Sequence, residues 1–198
     1  MTPKPNANKK NKKPKSILRL LIKLIMSLVL LAILAIALLD LFSISILYLG
    51  FYVNWSPSMP MGLYKVSNPQ NLKTGDAVVV CLPPAIGEIG LAREYLNPGK
   101  CPGGFDPLIK KLIATPGDAV TLTNQAMIAN GKSYSAPLQK ADAKGRPLAS
   151  IPRGAYPHTN SFWLYGAGSP ADSWDSRYWG GVSKVNIIKQ AQPVLTFP

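Results

Sequence analysis

Apolar positions follow two different patterns along this chain. From Leu24 to Leu39 no charged side chain interrupts the run, and after Asp40 it continues from Leu41 to Val53. A helix needs about 20 residues to cross the hydrocarbon core of a bilayer, so the stretch predicts one span and is too short for two with a turn. Asp40 is expected toward one interface or against protein, because a carboxylate at the midplane is costly. A cleavable signal peptide has an apolar region of about 7–15 residues, so residues 24–53 read as a retained anchor.

From residue 54 onward the apolar runs become short and are separated by Gly, Pro and Asn. Asp76–Leu82, with Ala77-Val78-Val79-Val80 inside it, predicts a buried strand. Leu108–Ala114 predicts a second, ended by Pro116-Gly117-Asp118, where Gly117 and Asp118 serve a turn. Ala119–Thr123 and Ala126–Ala129 follow, and the latter runs into Asn130-Gly131, a favoured hairpin turn. Gly131-Lys132-Ser133 is not a phosphate-binding loop, since that motif needs Gly where Ala126 stands. Ser161–Tyr165 and the tail Val182–Ile188 complete the strands. No amphipathic helix longer than two turns stands out, and the prolines favour loops and strand edges. The pattern predicts a mostly β domain over 54–198 behind one N-terminal transmembrane helix.

Charge fixes the direction of that helix. The chain carries 22 Lys and Arg against 9 Asp and Glu, a formal net charge of +13 over 198 residues. Eight of the basic residues, Lys4, Lys9, Lys10, Lys12, Lys13, Lys15, Arg19 and Lys23, lie in residues 1–23 with no acid among them. A basic block beside an apolar run follows the positive-inside rule, and nucleic-acid binding is the weaker account. Residues 1–23 are therefore expected in the cytoplasm and 54–198 across the membrane. In a bacterium that is an inner-membrane protein with a periplasmic domain.

The length allows one compact domain plus an appendage. One His and two Cys argue against a zinc site of three or four such ligands, and no metal or cofactor is expected. A Ser-His-Asp site would have to use His158, which reads as a surface loop. Cys81 and Cys101 fall in the exported segment, where two cysteines commonly pair. Closing a loop of about 20 residues would stabilise by roughly 3 kcal/mol; the alternative is two buried free thiols. Pro83, Pro84, Gly87, Gly90, Pro98 and Gly99 between them predict a loop with little regular structure.

Three stretches carry candidate chemistry. The first is Asn54-Trp55-Ser56-Pro57-Ser58-Met59-Pro60-Met61-Gly62-Leu63-Tyr64, directly after the anchor. The second is Pro107-Leu108-Ile109-Lys110-Lys111-Leu112-Ile113-Ala114, where lysines stand between apolar residues of a predicted core strand. Burying an ammonium is costly, and the usual outcome is a lowered pKa that makes the neutral amine available as a base. The third, Ala171-Asp172-Ser173-Trp174-Asp175-Ser176-Arg177-Tyr178-Trp179-Gly180, brings acids, hydroxyls and an Arg beside aromatics.

In this order and behind an anchor, these stretches resemble the boxes of the type I signal peptidases, a family of serine/lysine proteases. Ser56-Pro57-Ser58-Met59 is similar to the nucleophile box and Thr74-Gly75-Asp76-Ala77-Val78-Val79-Val80 to the strand after it. Lys110 to Asp118 resembles the lysine box, and Asp175-Ser176-Arg177-Tyr178-Trp179-Gly180 the last box. General signal peptidases have Met-x-Pro-Thr after the nucleophile and Gly-Asp-Asn-Arg opening the last box. Here Met59-Pro60-Met61-Gly62 and Gly168-Ser169-Pro170-Ala171 stand instead. The alternation Asn54-x-Ser56-x-Ser58-x-Pro60-x-Gly62-x-Tyr64 looks more like the TraF-type peptidases of conjugative transfer systems. So do Cys81-Leu82-Pro83-Pro84, Gly99 to Gly104 and Ser173-x-Asp175-Ser176-Arg177-Tyr178.

The resemblance implies a signal-peptidase-like catalytic domain of twisted antiparallel sheets. It implies Ser58 as nucleophile and Lys110 as its neutral base; strand periodicity alone cannot choose between Lys110 and Lys111, and the family pattern favours the first. The backbone N–H of Ser58 and the hydroxyl of Ser56 would stabilise the oxyanion. Ser173 resembles the serine that orients the lysine amine. Asp175 and Arg177 are expected to form a supporting ion pair, with pure fold stabilisation as the alternative. The implied partners are the inner membrane, a conjugative transfer machinery and a pilin-like precursor that is cleaved or cyclised. A general signal peptidase is the alternative enzyme, and a non-catalytic single-pass component of a secretion or conjugation complex the alternative of another class.

Overall fold

The computed structural model describes residues 14–197. The chain divides into two units, residues 1–49 and residues 50–198. The first holds helix α1 (Pro14–Tyr48). Within it Leu18–Leu41, 24 residues of mean hydropathy 2.9, is long and apolar enough to cross a membrane. Asp40 is exposed on this stretch, as are its leucines and isoleucines. Of the predicted basic segment, Lys4, Lys9, Lys10, Lys12 and Lys13 lie outside the described residues.

The helix stops earlier than the hydropathy run. Gly50 takes φ +73, a left-handed turn that ends a helix at little steric cost. Phe51–Val53, read from hydropathy as the end of the anchor, instead belong to strand β1 (Phe51–Asn54). Aromatic and β-branched side chains favour that pleated environment.

The second unit continues with β2 (Met61–Ser67), β3 (Ala77–Val80), α2 (Pro84–Ala92) and β4 (Leu108–Ala114). Then come β5 (Val120–Leu122), β6 (Ala126–Ala129), β7 (Lys132–Ser135), β8 (Gly154–Tyr156) and β9 (Trp163–Tyr165). A short helix α3 (Ser176–Trp179) and a 3-10 turn (Lys184–Asn186) precede β10 (Ile187–Phe197). The strands form two antiparallel sheets, β1-β2-β10-β3-β4-β9 and β7-β6-β5-β8. β6 and β7 are joined through Asn130 and Gly131, both at positive φ (+48 and +77), the two-residue turn that Asn-Gly favours.

Three apolar clusters hold these layers. Ile113, Val120, Leu122, Met127, Trp163 and Tyr165 join the two sheets. Met59, Tyr64, Val79, Ile109 and Ala191 pack on one face of the larger sheet. Val78, Val80, Leu112, Phe105, Leu164 and Ile187 form the third, together with a disulfide between Cys81 and Cys101, Cα–Cα 5.5 Å.

Two expectations need correction. The segment between the cysteines is not without regular structure, because it contains α2, nine residues with Pro at its N-terminus. Its glycines are there for close approach. A Cβ at Gly87 would lie 1.9 Å from the Phe105 ring, and one at Gly90 would lie 2.6 Å from Leu96. The C-terminal strand also lies beyond Val182–Ile188. Val182 makes only an isolated bridge to Phe162, residues 184–186 turn, and β10 runs on to Phe197 between β2 and β3. Its register shifts between Pro193 and Leu195, where proline has no N–H for a ladder.

Candidate active site

The loop between β1 and β2 carries Ser56 and Ser58, and its shape is set from below by Asn54. That side chain is buried, and its Nδ2 donates to the carbonyls of Ser56 (2.9 Å), Met59 (3.2 Å) and Pro60 (3.1 Å). Its Oδ1 accepts from the Ser56 N–H at 3.1 Å. The Tyr64 hydroxyl donates to Pro60 O at 2.7 Å. On the other side the Gly168 N–H donates to Ser58 O at 3.0 Å. A Cβ at Gly168 would lie 2.4 Å from Pro57 O, so the chain can approach the loop this closely only with glycine there. Ser58 Oγ sits 3.0 Å from Ser56 Oγ, while the Ser58 N–H reaches the same Ser56 oxygen at only 3.4 Å.

β4 separates the two lysines. Lys110 pairs with Val78 and shares the face of Leu108 and Leu112, packed toward the apolar cluster of the disulfide side. It is 1% exposed and takes part in none of the ion pairs among the described residues. Burial lowers its pKa from 10.5 to about 8, helped by the Arg177 charge and opposed by Asp175. Lys111 points to the opposite face, opposite Ala77 and Tyr165, and is half-buried.

Ser56, Ser58, Lys110 and Ser173 all line one cavity of about 500 Å³. Ser173 donates its hydroxyl proton to Ser169 O at 2.7 Å, so its oxygen can only accept from a further donor. Asp175 and Arg177 do not line this cavity. They lie fully buried beneath it as a bidentate pair, Nε to Oδ1 at 2.7 Å and Nη2 to Oδ2 at 3.0 Å. Arg177 also donates to the carbonyls of Pro137, Pro170 and Ser173 at 2.5–2.7 Å. Asp175 accepts from the Gly166 N–H at 3.0 Å. The pair therefore ties the Ser173 segment to two other chain segments. Cys81 and Cys101 line no part of the cavity, and His158 is exposed at φ +51. Asp118 closes its turn on the N–H and hydroxyl of Thr115, at 2.7 and 2.9 Å.

Sequence reasoning gave Asn54 no role, although it opens the alternation that ends at Tyr64. Tyr95 and Asp142 were missed outright. Both line the cavity and are bonded to each other at 2.6 Å across 47 residues of sequence.

The sequence comparisons show a family. The signal peptidase family, peptidase S26, matches residues 21–196. The conjugal transfer protein TraF of Agrobacterium fabrum (strain C58) is 36% identical over 150 residues, 75% of this chain and 84% of that protein. A plasmid transfer protein TraF of Escherichia coli is 35% identical over 152 residues, with the same two coverages of 75% and 84%. The crystal structure of a signal peptidase I from Enterococcus faecalis V583 aligns with 60% of this chain and 94% of its own, at TM-score 0.32 and 17% identity. On the sequence matches, the chain belongs to the S26 signal peptidases, serine peptidases in kind, and within them to the TraF conjugal transfer proteins.

Proposed function

We propose that this protein is a membrane-anchored endopeptidase in which Ser58 attacks and Lys110 is the base, and that it matures a pilin-like precursor for conjugative transfer. The observation that carries the reading is a lysine, 1% exposed and with no ion-pair partner among the described residues, on the wall of the same cavity as a serine hydroxyl. A pKa lowered to about 8 leaves an appreciable neutral fraction near pH 7–8, which a general base requires.

The chemistry follows from those positions. Lys110 Nζ takes the proton of Ser58 Oγ as that oxygen attacks the scissile carbonyl. The Ser58 N–H, held only loosely by Ser56 Oγ, and the Ser56 hydroxyl turn to the developing oxyanion. Lys110 then returns the proton to the departing amine, leaving an acyl ester on Ser58 that water or another amine resolves. Ser173 supports the amine by accepting from it, and Asp175 with Arg177 fixes Ser173. With the basic N-terminal segment on the cytoplasmic side, Leu18–Leu41 as the span and the domain from Gly50 onward in the periplasm, the site would lie on the side to which a pilin subunit is exported. The relatives' names, conjugal and plasmid transfer proteins, support a role in conjugative transfer.

The test is co-expression of a pilin precursor with each variant. The unaltered protein converts it to the mature mass, and Ser58→Ala leaves it unprocessed at equal expression. Full processing in Ser58→Ala sinks the reading.

A further inference from the structure

A second cavity, of about 290 Å³, also borders Ser56 and Ser58, but Lys110 is absent from its walls. Its chemistry differs from that of the larger one. Leu96, Leu108 and Ile109 give it apolar sides, and Tyr52 and Trp55 give it rings. Asp106 is the one acid among its lining residues, with no Lys, Arg or His to oppose it. Basic residues outnumber acidic ones fourteen to eight over residues 54–198, so this cavity runs against the charge of its own domain.

Asp106 is held in place from behind, yet it is left without a cation. Its N–H donates to Asn97 O at 2.8 Å, and Pro98 and Phe105 bridge beside it. A Cβ at Gly99 would lie 2.0 Å from Asp106 Oδ1 and 2.5 Å from its Cα, so glycine there leaves the carboxylate where it stands. The Cys81–Cys101 disulfide ties down the same segment. Asp106 enters none of the ion pairs among the described residues, whereas Glu94, Asp142 and Asp175 all do. Its charge is felt inside the cavity: burial raises the Tyr52 pKa, and the Asp106 charge raises it further. Trp55, 81% exposed at the same cavity, offers an indole face largely free of the domain's own atoms.

An unpaired carboxylate, an open indole and apolar sides together fit a long aliphatic side chain that ends in a cation. We infer that the smaller cavity is a cation subsite, in which Asp106 and Trp55 take the lysine or arginine side chain of a peptide bound at Ser58. The inference rests on Ser58 acting as proposed above, since that is what makes the bound molecule a peptide substrate. The aliphatic stem lies along Leu96 and Leu108, and the charged head meets the carboxylate. A precursor with a basic side chain close to the cleaved bond is then selected over one with a neutral or acidic residue there.

The test measures binding to the full chain in detergent, on a Ser58→Ala background so that turnover plays no part. Blocked alanine-rich hexapeptides carry lysine, arginine, acetyl-lysine or glutamate at each inner position in turn, and their dissociation constants are read by titration calorimetry. At the best position the lysine and arginine peptides should bind about fivefold or more tightly than the acetyl-lysine peptide, with glutamate weakest. Asp106→Asn should remove the difference. Asp106→Lys should reverse it in favour of glutamate, an inversion that damage to the fold does not produce. Trp55→Ala should weaken the lysine and arginine peptides about threefold and leave the glutamate peptide unchanged. The preference should shrink as NaCl rises from about 0.05 to 0.5 M. Equal affinity for lysine and acetyl-lysine, no binding of any peptide, or a lysine preference that survives Asp106→Asn overturns the assignment. Failure of the Ser58 reading is seen separately, as precursor processing that persists in Ser58→Ala.

Discussion

Two cations are buried in the same domain and are treated in opposite ways. Arg177 is fully buried and meets a carboxylate in bidentate geometry plus three backbone carbonyls. Lys110 is equally buried and has no ion-pair partner among the described residues, only the opposing fields of Asp175 and Arg177. Full pairing keeps a charge inside a fold; withholding a partner makes that charge easy to lose. The first arrangement suits a strut, the second a proton carrier. Nearness to the same Asp175 makes the contrast sharper, since its carboxylate serves the arginine and not the lysine.

The largest expected effect breaks the comparison at the lysine. Lys110→Ala should lower processing by about 10²-fold or more, the loss of a general base, and Lys110→Arg should do no better because guanidinium keeps its proton. The double variant with Ser58→Ala should be no worse than either single one. In the unaltered protein, activity should rise with pH through about 8 as Lys110 loses its proton. A flat profile from pH 6 to 9 in single-turnover assays would contradict the assignment.

Next in size is the arginine. Arg177→Leu leaves the Asp175 carboxylate buried and unpaired, which should cost about 3–5 kcal/mol in denaturant unfolding. Arg177→Lys should recover little, because three donors on a point charge cannot reach the same carbonyls. Lys110→Met should have the opposite sign. In the unfolded chain the amine holds its proton up to pH 10.5, and in the folded one only to about 8. The contribution of Lys110 to stability is thus greatest above pH 10.5 and falls as pH falls, the loss being complete below about 8. Removing the amine should therefore raise stability by about 3 kcal/mol at pH 7, and progressively less as the pH rises toward 10.5. The smallest effect belongs to Lys111→Ala, on the opposite face of β4, which should retain turnover within about threefold. Loss of activity there together with full activity in Lys110→Ala would exchange the two lysines.

What the sequence disclosed depended on whether the deciding interaction was local. β4 was legible end to end, since Leu108–Ala114 is one apolar run and its lysines are anomalous in it. The β6–β7 turn was legible because Asn-Gly names its own geometry. α2 was hidden, because Gly87 and Gly90 signal a loop in sequence, whereas the fold uses them to admit Phe105, Leu96 and Trp174. β10 was hidden for another reason. Its Lys189, Gln190 and Gln192 break any apolar pattern, yet a strand with half-exposed faces needs only backbone pairing on both edges. At the site, the four expected residues that line the cavity, Ser56, Ser58, Lys110 and Ser173, came from family motifs. The Tyr95–Asp142 bond could not, because side chains 47 residues apart meet only once the layers are packed.

The place of β10 in the larger sheet bears on the timing of biosynthesis. The hairpin flanking Ser58, β1 and β2, makes no backbone pairing with the Lys110 strands β3 and β4; β10 lies between the pairs and bonds to both. The ribosome makes β10 last of these five strands. A nascent chain that has already delivered Ser58 and Lys110 therefore still lacks the ladder that brings them side by side. Such an order of synthesis acts as a delay, in which the two strand pairs come side by side only once β10 has been made.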